Sequence, residues 1–342
     1  MLSMRHLFAD FELAKTALAH WLHDAATLDA DLALYRISAN AVYPFRHNGQ
    51  WRFLRLAPEE EKLEKNVRGE MEFIRYLLRN GYPALKPIRA DNGETLLVLD
   101  TYRGRYYAAA FRRVDGVRVD QTKMNEPIPE RCGQTLGRLH TLSARYVPKM
   151  RKWDHAEALE WIGRTLAENH APDAAFRELA MVGRELVKLP INDGRYGLIH
   201  YDFEPDNLFY DAATGKCSVI DFDDGLYHWF ALDVAQALDA LGDCLEGERL
   251  RHAKTAFLKG YRRERGLTEN DEALFPLMRR FIGLMQYARL ARCVADEVAD
   301  APDWMVSLRA HLAGIITRLE TRMTENAAPT SPEKEITGNA KN

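Results

Sequence analysis

The chain has 342 residues, of which 46% are hydrophobic and 28% are charged, as in an ordinary soluble globular protein. This length favours two lobes or domains over one compact core. The net charge of −3 at pH 7 supplies no broad basic field, so nucleic acid is not expected as a main partner. No apolar run reaches the roughly 20 residues that cross a bilayer, so a membrane is not expected either.

The four cysteines are scattered without a CxxC pair, at Cys132, Cys217, Cys244 and Cys293. This pattern favours free thiols in a reducing compartment over a disulfide frame or a zinc site. The first residues, with Asp10 among them, lack the apolar core of a secretory signal. A cytoplasmic protein is therefore expected.

Residues 1–114 are predicted to form a small antiparallel sheet with one inserted helix. Helical spacing over residues 4–22 precedes five strand-like segments, at Leu32–Ile37, Ala41–Arg46, Trp51–Leu56, Glu94–Leu99 and Tyr106–Val114. Asn48-Gly49 separates the second and third of these and is a strong signal for a tight hairpin. A charged helix over about Glu59–Arg79 follows the third strand and ends at Asn80-Gly81.

Residues 115–325 are predicted to be mostly helical. The predicted helices cover about Pro129–Arg145, His155–His170, Asp173–Leu189, Phe230–Gly242, Gly247–Arg265, Asn270–Ala299 and Asp303–Met323. A non-helical island from Arg195 to about Asp224 interrupts them, with short strands at Leu208–Tyr210 and Cys217–Ile220. Residues 326–342 have nothing to bury and are expected to be disordered. The whole predicts an α+β, bilobal architecture, and ligands favour the cleft between such lobes.

The island concentrates the residues that can carry chemistry. His200-Tyr201-Asp202 is followed five positions later by Asn207, and the apolar strand Cys217–Ile220 leads directly to Asp221. Phosphoryl transfer needs a carboxylate that orients the attacking hydroxyl and accepts its proton, and groups that hold a metal on the phosphates. Asp202 can be that base, and Asn207 and Asp221 offer a neutral and a charged oxygen to Mg²⁺. The alternative is a loop that is acidic by chance.

The pattern resembles the catalytic and metal-binding loops of protein kinases. It resembles more closely the aminoglycoside phosphotransferase, choline kinase and homoserine kinase group, whose motif is His-x-Asp-x-x-x-x-Asn followed by an Ile-Asp-Phe-Asp-like stretch. The resemblance implies the bilobal protein-kinase-like fold. It also implies Asp202 as catalytic base, Asn207 and Asp221 as magnesium ligands, and His200 as a structural residue. Asp233 matches a family aspartate that supports this loop, with a surface or capping aspartate as the alternative.

The first lobe must then supply a cation for the phosphates and a carboxylate that holds it. Strand alternation places Phe53 and Arg55 on one face, and helical spacing places Glu70 on an apolar face. Because a carboxylate on an apolar face needs a cationic partner, Arg55 and Glu70 resemble the lysine–glutamate pair of kinases. Glu72 and Glu64 are rival partners, and a solvated strand charge is the alternative for Arg55.

Ser38-Ala39-Asn40 resembles the phosphate-covering loop by position, although it lacks glycine. Ser38 and Asn40 would cover phosphates with their polar groups, and simple turn residues are the alternative. The strand Tyr106–Val114 would lead into a hinge where backbone groups near Phe111 and Arg113 bind a purine base. The resemblance thus implies ATP or GTP as co-substrate with Mg²⁺, and no other organic cofactor.

Glu204 stands two residues after Asp202, where protein kinases usually carry a lysine. With Asp206, Asp223 and Asp224 it makes an acidic mouth that should repel anions and attract amines. The predicted acceptor is therefore a small hydroxylated amine, bound near Glu204 and Asp223, such as an amino antibiotic, homoserine or a choline-like molecule. The alternative is that these acids only tune the metal site or face water.

Three other functions fit parts of the pattern less well. A Ser/Thr protein kinase of the same fold is opposed by Glu204, by Asp221-Phe222-Asp223 in place of Asp-Phe-Gly, and by the missing glycine-rich loop. A nucleotide-binding pseudokinase or regulatory module is opposed by the joint presence of the base and both metal ligands. Metal-assisted hydrolysis by the acidic loop alone would leave the Arg–Glu pair of the first lobe unexplained.

Overall fold

The structure, a computed structural model, describes residues 2–192 and 194–327. Its α-helices are α1 (Phe11–Leu18), α2 (Leu28–Leu32), α3 (Glu64–Arg79), α4 (Ile128–Ser143), α5 (His155–Glu168), α6 (Asp173–Leu186), α7 (Ala231–Ala240), α8 (Gly247–Glu264), α9 (Glu269–Glu272), α10 (Phe275–Ala295) and α11 (Asp303–Ala327). Its strands are β1 (Arg36–Ile37), β2 (Ala41–His47), β3 (Gln50–Pro58), β4 (Pro87–Ile88), β5 (Leu97–Thr101), β6 (Gly104–Arg112), β7 (Val117–Arg118), β8 (Tyr196–Leu198), β9 (Leu208–Asp211), β10 (Lys216–Val219) and β11 (Tyr227–Trp229).

The sheet of the first lobe is antiparallel and runs in the order β1-β2-β3-β6-β4, with β5 also paired to β6. The predicted hairpin between β2 and β3 is confirmed, because Asn48 and Gly49 form its two-residue turn with φ of 52° and 72°. Alternation along β6 sends successive side chains to opposite faces. Ala108 and Ala110 pack with apolar residues of α1, whereas Ala109 and Phe111 join the core that contains α3 and the second lobe.

The non-helical island forms two small antiparallel sheets inside the helical second lobe. The hairpin β9–β10 pairs with β7 through β9, and β8 pairs with β11. The two strands predicted in the island are confirmed within one residue at each end. The segment from His200 to Asn207 therefore lies on the loop between β8 and β9, and Asp221 lies just beyond the end of β10.

Two details of the predicted first lobe are wrong. The segment Leu28–Leu32 is helical, so only Arg36–Ile37 remains of the first predicted strand. The buried Asp31 carboxylate accepts hydrogen bonds from the Arg46 guanidinium at 2.7–3.1 Å, and this contact ties the helix to β2. Within the described residues the sheet has six strands instead of five, because the pair Pro87–Ile88, too short to form a pattern, bonds to β6.

Two details of the second lobe also differ from the prediction. The predicted helix Asn270–Ala299 is divided into α9 and α10, because Pro276 lacks an N–H group and can only begin a helix. The predicted disordered segment starts too early, since α11 continues to Ala327 and the Asn326 amide donates to Glu178 at 3.1 Å. Residues 328–342 lie outside the described residues. In the described ranges no helix is long and apolar enough to cross a bilayer.

Candidate active site

The loop between β8 and β9 is held in shape by the buried ring of His200. Its Nε2 donates to the Ile220 carbonyl oxygen at 2.9 Å, and its Nδ1 accepts from the Asp202 N–H at 3.3 Å. Burial lowers the pKa of His200, which keeps the ring neutral and able to make both bonds. His200 therefore connects the loop before β9 to the end of β10.

Asp233 on α7 is fully buried and holds the same loop through hydrogen bonds. Its carboxylate accepts hydrogen bonds from the backbone N–H groups of His200 and Tyr201, both at 2.7 Å, and from His140 Nε2 at 3.0 Å. Tyr201 has φ of 67°, a strained value for a bulky residue that needs such support. The alternative of a surface aspartate is wrong, because Asp233 and its partner His140 are both fully buried.

Asp202 and Asn207 lie in contact within this loop. The Asn207 Nδ2 donates to the Asp202 carbonyl oxygen at 3.0 Å and to its Oδ2 at 2.7 Å. Both amide hydrogens are thus engaged, which leaves the Asn207 amide oxygen available to a metal. Burial raises the pKa of Asp202 well above its usual range, and the charges of Glu204 and Asp224 raise it further. A carboxylate with a raised pKa is a stronger base.

Asp221 lies beside Asn207 because β10, which precedes Asp221, pairs with β9, which follows Asn207. The Ile220 N–H donates to the Asn207 carbonyl oxygen at 3.0 Å. The next residue, Asp221, has φ of 62° and lines the same cavity as Asn207. The donor set suits a divalent cation that takes oxygen ligands from few side chains and the rest from phosphates and water. Among residues 2–192 and 194–327, no three His, Cys, Asp or Glu side chains cluster into a self-sufficient metal site.

Arg55 on β3 and Glu70 on α3 form the predicted ion pair. The two guanidinium nitrogens Nη1 and Nη2 donate to the two carboxylate oxygens at 2.8 and 2.6 Å, and the Glu70 side chain is 1% exposed. The rival Glu72 accepts from backbone N–H groups, and Glu64 pairs with Arg68. Arg55 Nη1 also lies 4.0 Å from the Asp221 carboxylate, which brings the two lobes' charged groups together.

Replacing Glu70 with glutamine is expected to lower the free energy of unfolding by about 3 kcal/mol, because the buried Arg55 would lose its counter-charge. Urea unfolding of the variant measures this loss. The matched control is Glu64→Gln on the same helix, whose exposed pair with Arg68 is worth less than about 1 kcal/mol. Equal losses in both variants would show that the buried pair does not stabilise the first lobe.

A cavity of about 460 Å³, here the interlobe cavity, collects most of the predicted residues. It is lined by the predicted Ser38, Asn40, Phe53, Arg55, Phe111, Arg113, Asp202, Asn207, Asp221 and Asp223. Phe53 and Phe111 are direct cross-strand partners on β3 and β6 and give it an aromatic wall. Glu70 does not line it, since it lies behind Arg55 beside a separate cavity of about 220 Å³.

The sequence predicts that backbone groups near Phe111 and Arg113 bind a purine base, and the structure shows which of these groups are already bonded. The Arg112 N–H donates to the Lys86 carbonyl oxygen at 2.9 Å, and the Arg113 N–H contacts the Trp51 carbonyl oxygen at 3.4 Å. These two N–H groups are engaged, so neither is available to donate to a base. On the opposite side Ser38 is exposed, whereas Asn40 is buried and its Nδ2 donates to Asp223 Oδ2 at 2.8 Å.

The sequence predicts Asp223 on the acceptor side, and the structure contradicts that position. Its carboxylate accepts from Lys62 Nζ and Asn40 Nδ2, each at 2.8 Å, and turns toward the first lobe. Although burial opposes it, the charges of Lys62 and Arg55 hold the pKa of Asp223 well below its usual range. The sequence does not single out Lys62, because it follows Glu59-Glu60-Glu61 and looks like part of a solvated charge run.

A second cavity of about 520 Å³, here the second-lobe cavity, opens on the other side of Asp202. Asp202 and Asp224 line both cavities, whereas Glu204 lines only this one. The Glu204 carboxylate accepts from Gln236 Nε2 at 3.2 Å, and burial raises its pKa. The predicted acidity is partly neutralised, since Arg289 donates two hydrogen bonds to Asp224 at 2.7 and 2.9 Å.

Comparisons with known proteins show which family the chain is similar to. The pattern of the phosphotransferase enzyme family matches residues 37–267. Amicoumacin kinase of Bacillus subtilis (strain 168) is 28% identical over 202 residues, 57% of this chain and 59% of that protein. Homoserine kinase of Caulobacter vibrioides (strain NA1000 / CB15N) is 29% identical over 233 residues, 64% of this chain and 69% of that protein. The aligned part of the chain thus spans about three fifths to two thirds of these relatives' lengths.

A solved amicoumacin kinase in complex with AMP-PNP, Ca²⁺ and Ami has the same fold. It superposes with a TM-score of 0.77 at 21% identity, over 96% of this chain and 97% of that one. This likeness confirms the predicted α+β, protein-kinase-like architecture. The similarity covers 96% of this chain and therefore extends through both lobes.

Proposed function

The chain belongs to the phosphotransferase enzyme family, and from this premise we propose that it transfers the terminal phosphoryl group of ATP or GTP to a hydroxyl group of a small amine. The observation that carries the proposal is the position of Asp202 in the wall shared by the interlobe and second-lobe cavities. A nucleotide in the first cavity and a hydroxyl in the second would both reach its carboxylate. Such positioning is the larger part of phosphoryl-transfer catalysis.

In this proposal Asp202 orients the acceptor hydroxyl and receives its proton. The Asn207 Nδ2 hydrogen bond at 2.7 Å fixes one carboxylate oxygen and leaves the other for the hydroxyl. The raised pKa of Asp202 favours proton uptake as the oxygen begins to bond to phosphorus. His200 and Asp233 keep the carboxylate in place without contact to either substrate.

The amide oxygen of Asn207 and the carboxylate of Asp221 would hold Mg²⁺ in the interlobe cavity. When bound, the ion neutralises charge on the phosphates. The chain's own contribution is to fix these two oxygens through the Ile220–Asn207 backbone bond and the His200–Ile220 bond. The two ligands flank one hairpin, so the pairing of β9 with β10 brings them side by side.

The first lobe would bind the nucleotide. Arg55, aligned by Glu70, presents its guanidinium beside Asp221 and contacts the phosphates. Phe53 and Phe111 supply apolar surface for the base and sugar, and Ser38 and Asn40 cover the phosphates from β1–β2. The Asn40–Asp223 bond holds this covering loop near the metal ligands.

An amine on the acceptor is supported by the charges of the second-lobe cavity. Glu204 bonds only to a neutral amide among the described residues, whereas Asp224 and Asp239 are paired with arginines. A cationic amine near Glu204 would supply the missing counter-charge. Homoserine, the substrate named for one relative, carries both a hydroxyl and an amine, in line with this assignment.

Turnover of ATP and GTP with Mg²⁺ across hydroxylated amines tests the proposal. The panel comprises aminoglycosides, other amino antibiotics, homoserine, choline and amino sugars, each beside an N-acetylated or deaminated analogue where one exists. Phosphorylation of an amine with strong loss for its neutral analogue is the expected result. Preference for an anionic acceptor, or for a protein hydroxyl over every small molecule, would contradict it.

The acidic limb of the pH–rate profile is expected to move to lower pH in Glu204→Gln. Asp202 must be ionised to act as base, so kcat falls as the pH drops through its raised pKa. Burial is the main cause of that raised pKa, and Glu204 is the next, so removing the Glu204 charge lowers the pKa of Asp202. Profiles of log kcat measure the shift. Asp243→Asn, in the same cavity but not among the charges that chiefly raise the pKa of Asp202, should leave the limb in place.

A further inference from the structure

Lys152, a buried residue with no role in the proposed function, is hydrogen-bonded to the backbone that follows Asp221. Lys152 is 2% exposed, and its Nζ donates to the carbonyl oxygens of Phe222 at 3.0 Å and Asp223 at 2.7 Å. A buried ammonium group requires such acceptors, and each bond to a charged donor is stronger than a neutral one. Lys152 therefore fixes the path of the chain immediately after the proposed metal ligand.

Lys152 belongs to residues 149–153, here the bridging segment, which is docked on α3. The Glu72 carboxylate of α3 accepts hydrogen bonds from the backbone N–H groups of Lys149 and Met150 at 2.7 and 2.9 Å. Backbone atoms held in this way cannot shift unless the helix moves with them. The bridging segment is thus fixed to α3, the helix that carries Glu70, by hydrogen bonds.

The contact between α3 and Lys152 is close enough to require a glycine. A Cβ added to Gly69 would lie 2.7 Å from Lys152 Cγ and 2.8 Å from the Met150 carbonyl oxygen. One helical turn earlier, the Asn66 side chain accepts from the Trp153 N–H at 2.8 Å. The stem of Lys152 is therefore clamped against α3 while its ammonium group is bonded to the loop after Asp221.

We propose that Lys152 is a positioning residue that couples the helix bearing Glu70 to the loop bearing Asp221. Glu70 aligns Arg55 for the phosphates, and Lys152 places the backbone that presents Asp221 to the metal. A single helix then sets both groups that meet at the phosphates. The inference rests on the proposed function, since it takes Asp221 as a ligand of a divalent metal.

The test is nucleotide binding to Lys152→Met, which keeps the length of the stem but removes all three donors. ATP binding is measured by calorimetry in EDTA and then across a Mg²⁺ titration. The Kd in EDTA should stay close to that of the parent protein, because Arg55 and the aromatic wall are retained. The Mg²⁺ concentration that gives half of the binding enhancement should rise by about 10–100-fold, as for other residues that orient a metal ligand.

Gly69→Ala provides a second, independent variant, because its Cβ displaces Lys152 without altering any charged group. It should shift the Mg²⁺ requirement in the same direction. The matched control is Gly183→Ala on α6, where the added Cβ meets only the end of Leu159 at 3.9 Å, and there the Mg²⁺ requirement should not change. Thermal unfolding of all three variants separates a loss of folded protein from a loss of metal affinity.

Two outcomes would overturn the coupling. One is an unchanged Mg²⁺ requirement in folded Lys152→Met, with only the unfolding temperature lowered. The other is an equal loss of ATP binding with and without Mg²⁺. Asp221→Asn separates this inference from the proposed function. An unchanged Mg²⁺ requirement in that variant would show that Asp221 is not a metal ligand, which refutes that part of the proposed function. A raised requirement in Asp221→Asn but not in Lys152→Met refutes the coupling alone.

Discussion

Asp202→Asn is expected to lower kcat by about 10²–10⁴-fold, the usual loss when a general base is removed. The substitution keeps the size of the side chain and an oxygen that can accept from Asn207 Nδ2, so the loop should stay in shape. The Kd for nucleotide should change little, because the proposed role of Asp202 is to bind the acceptor hydroxyl and not the nucleotide. Steady-state kinetics and calorimetry on the same preparation measure the two quantities.

The matched control is Asp211→Asn, at the opposite end of β9. Asp211, the half-buried last residue of β9, accepts from the Ala213 N–H at 3.0 Å, and an asparagine can keep that bond. Its kcat should match that of the parent protein. If Asp202→Asn kept full activity, or lost activity only by losing nucleotide binding, Asp202 would not be the base.

Asp233→Ala on α7 should destabilise the protein by removing the anchor of the loop between β8 and β9. It would leave three buried donors without an acceptor, the N–H groups of His200 and Tyr201 and the ring of His140, at roughly 1–3 kcal/mol each. The positive φ of Tyr201 would also lose its support. Both the free energy of unfolding, from urea titration, and kcat should fall.

Asp239→Ala on the same helix is the control for this loss. Its pair with Arg279 is 43–44% exposed, so its removal should cost less than about 1 kcal/mol. Asp233→Asn, which keeps one acceptor oxygen, should lie between the two and supplies a folded variant for kinetics. A loss in Asp233→Ala no larger than in Asp239→Ala would show that the buried carboxylate does not anchor the loop.

The parts of the site that are predictable depend on short-range spacing. Asp202 and Asn207 share one loop, and Asp221 follows a strand that pairs with the strand after Asn207, so local pattern is enough to bring them together. The pairing of Arg55 with Glu70 follows from period-2 alternation in β3 and from the apolar face of α3. In the second case the apolar face of α3 buries Glu70, and a buried carboxylate needs a cationic partner.

The parts that the sequence does not reveal depend on contacts between distant segments. Lys62 and Lys152 look like ordinary surface lysines in the sequence, and only the fold shows that each is buried against Asp223 or its backbone. The sequence assigns Asp223 to the wrong cavity because its direction is decided by Lys62 and Asn40, which come from the other lobe. Alternation along a strand does not extend into the loop beyond it, so the sequence could not settle which way this side chain points.

The wall common to the interlobe and second-lobe cavities has a kinetic consequence. Because the two spaces meet at Asp202 and Asp224 and do not overlap elsewhere, both substrates can occupy the protein at the same time. In the proposed reaction the phosphoryl group would pass directly from donor to acceptor within a ternary complex, and no phosphorylated form of the protein would have to accumulate. Neither substrate would have to leave before the other binds.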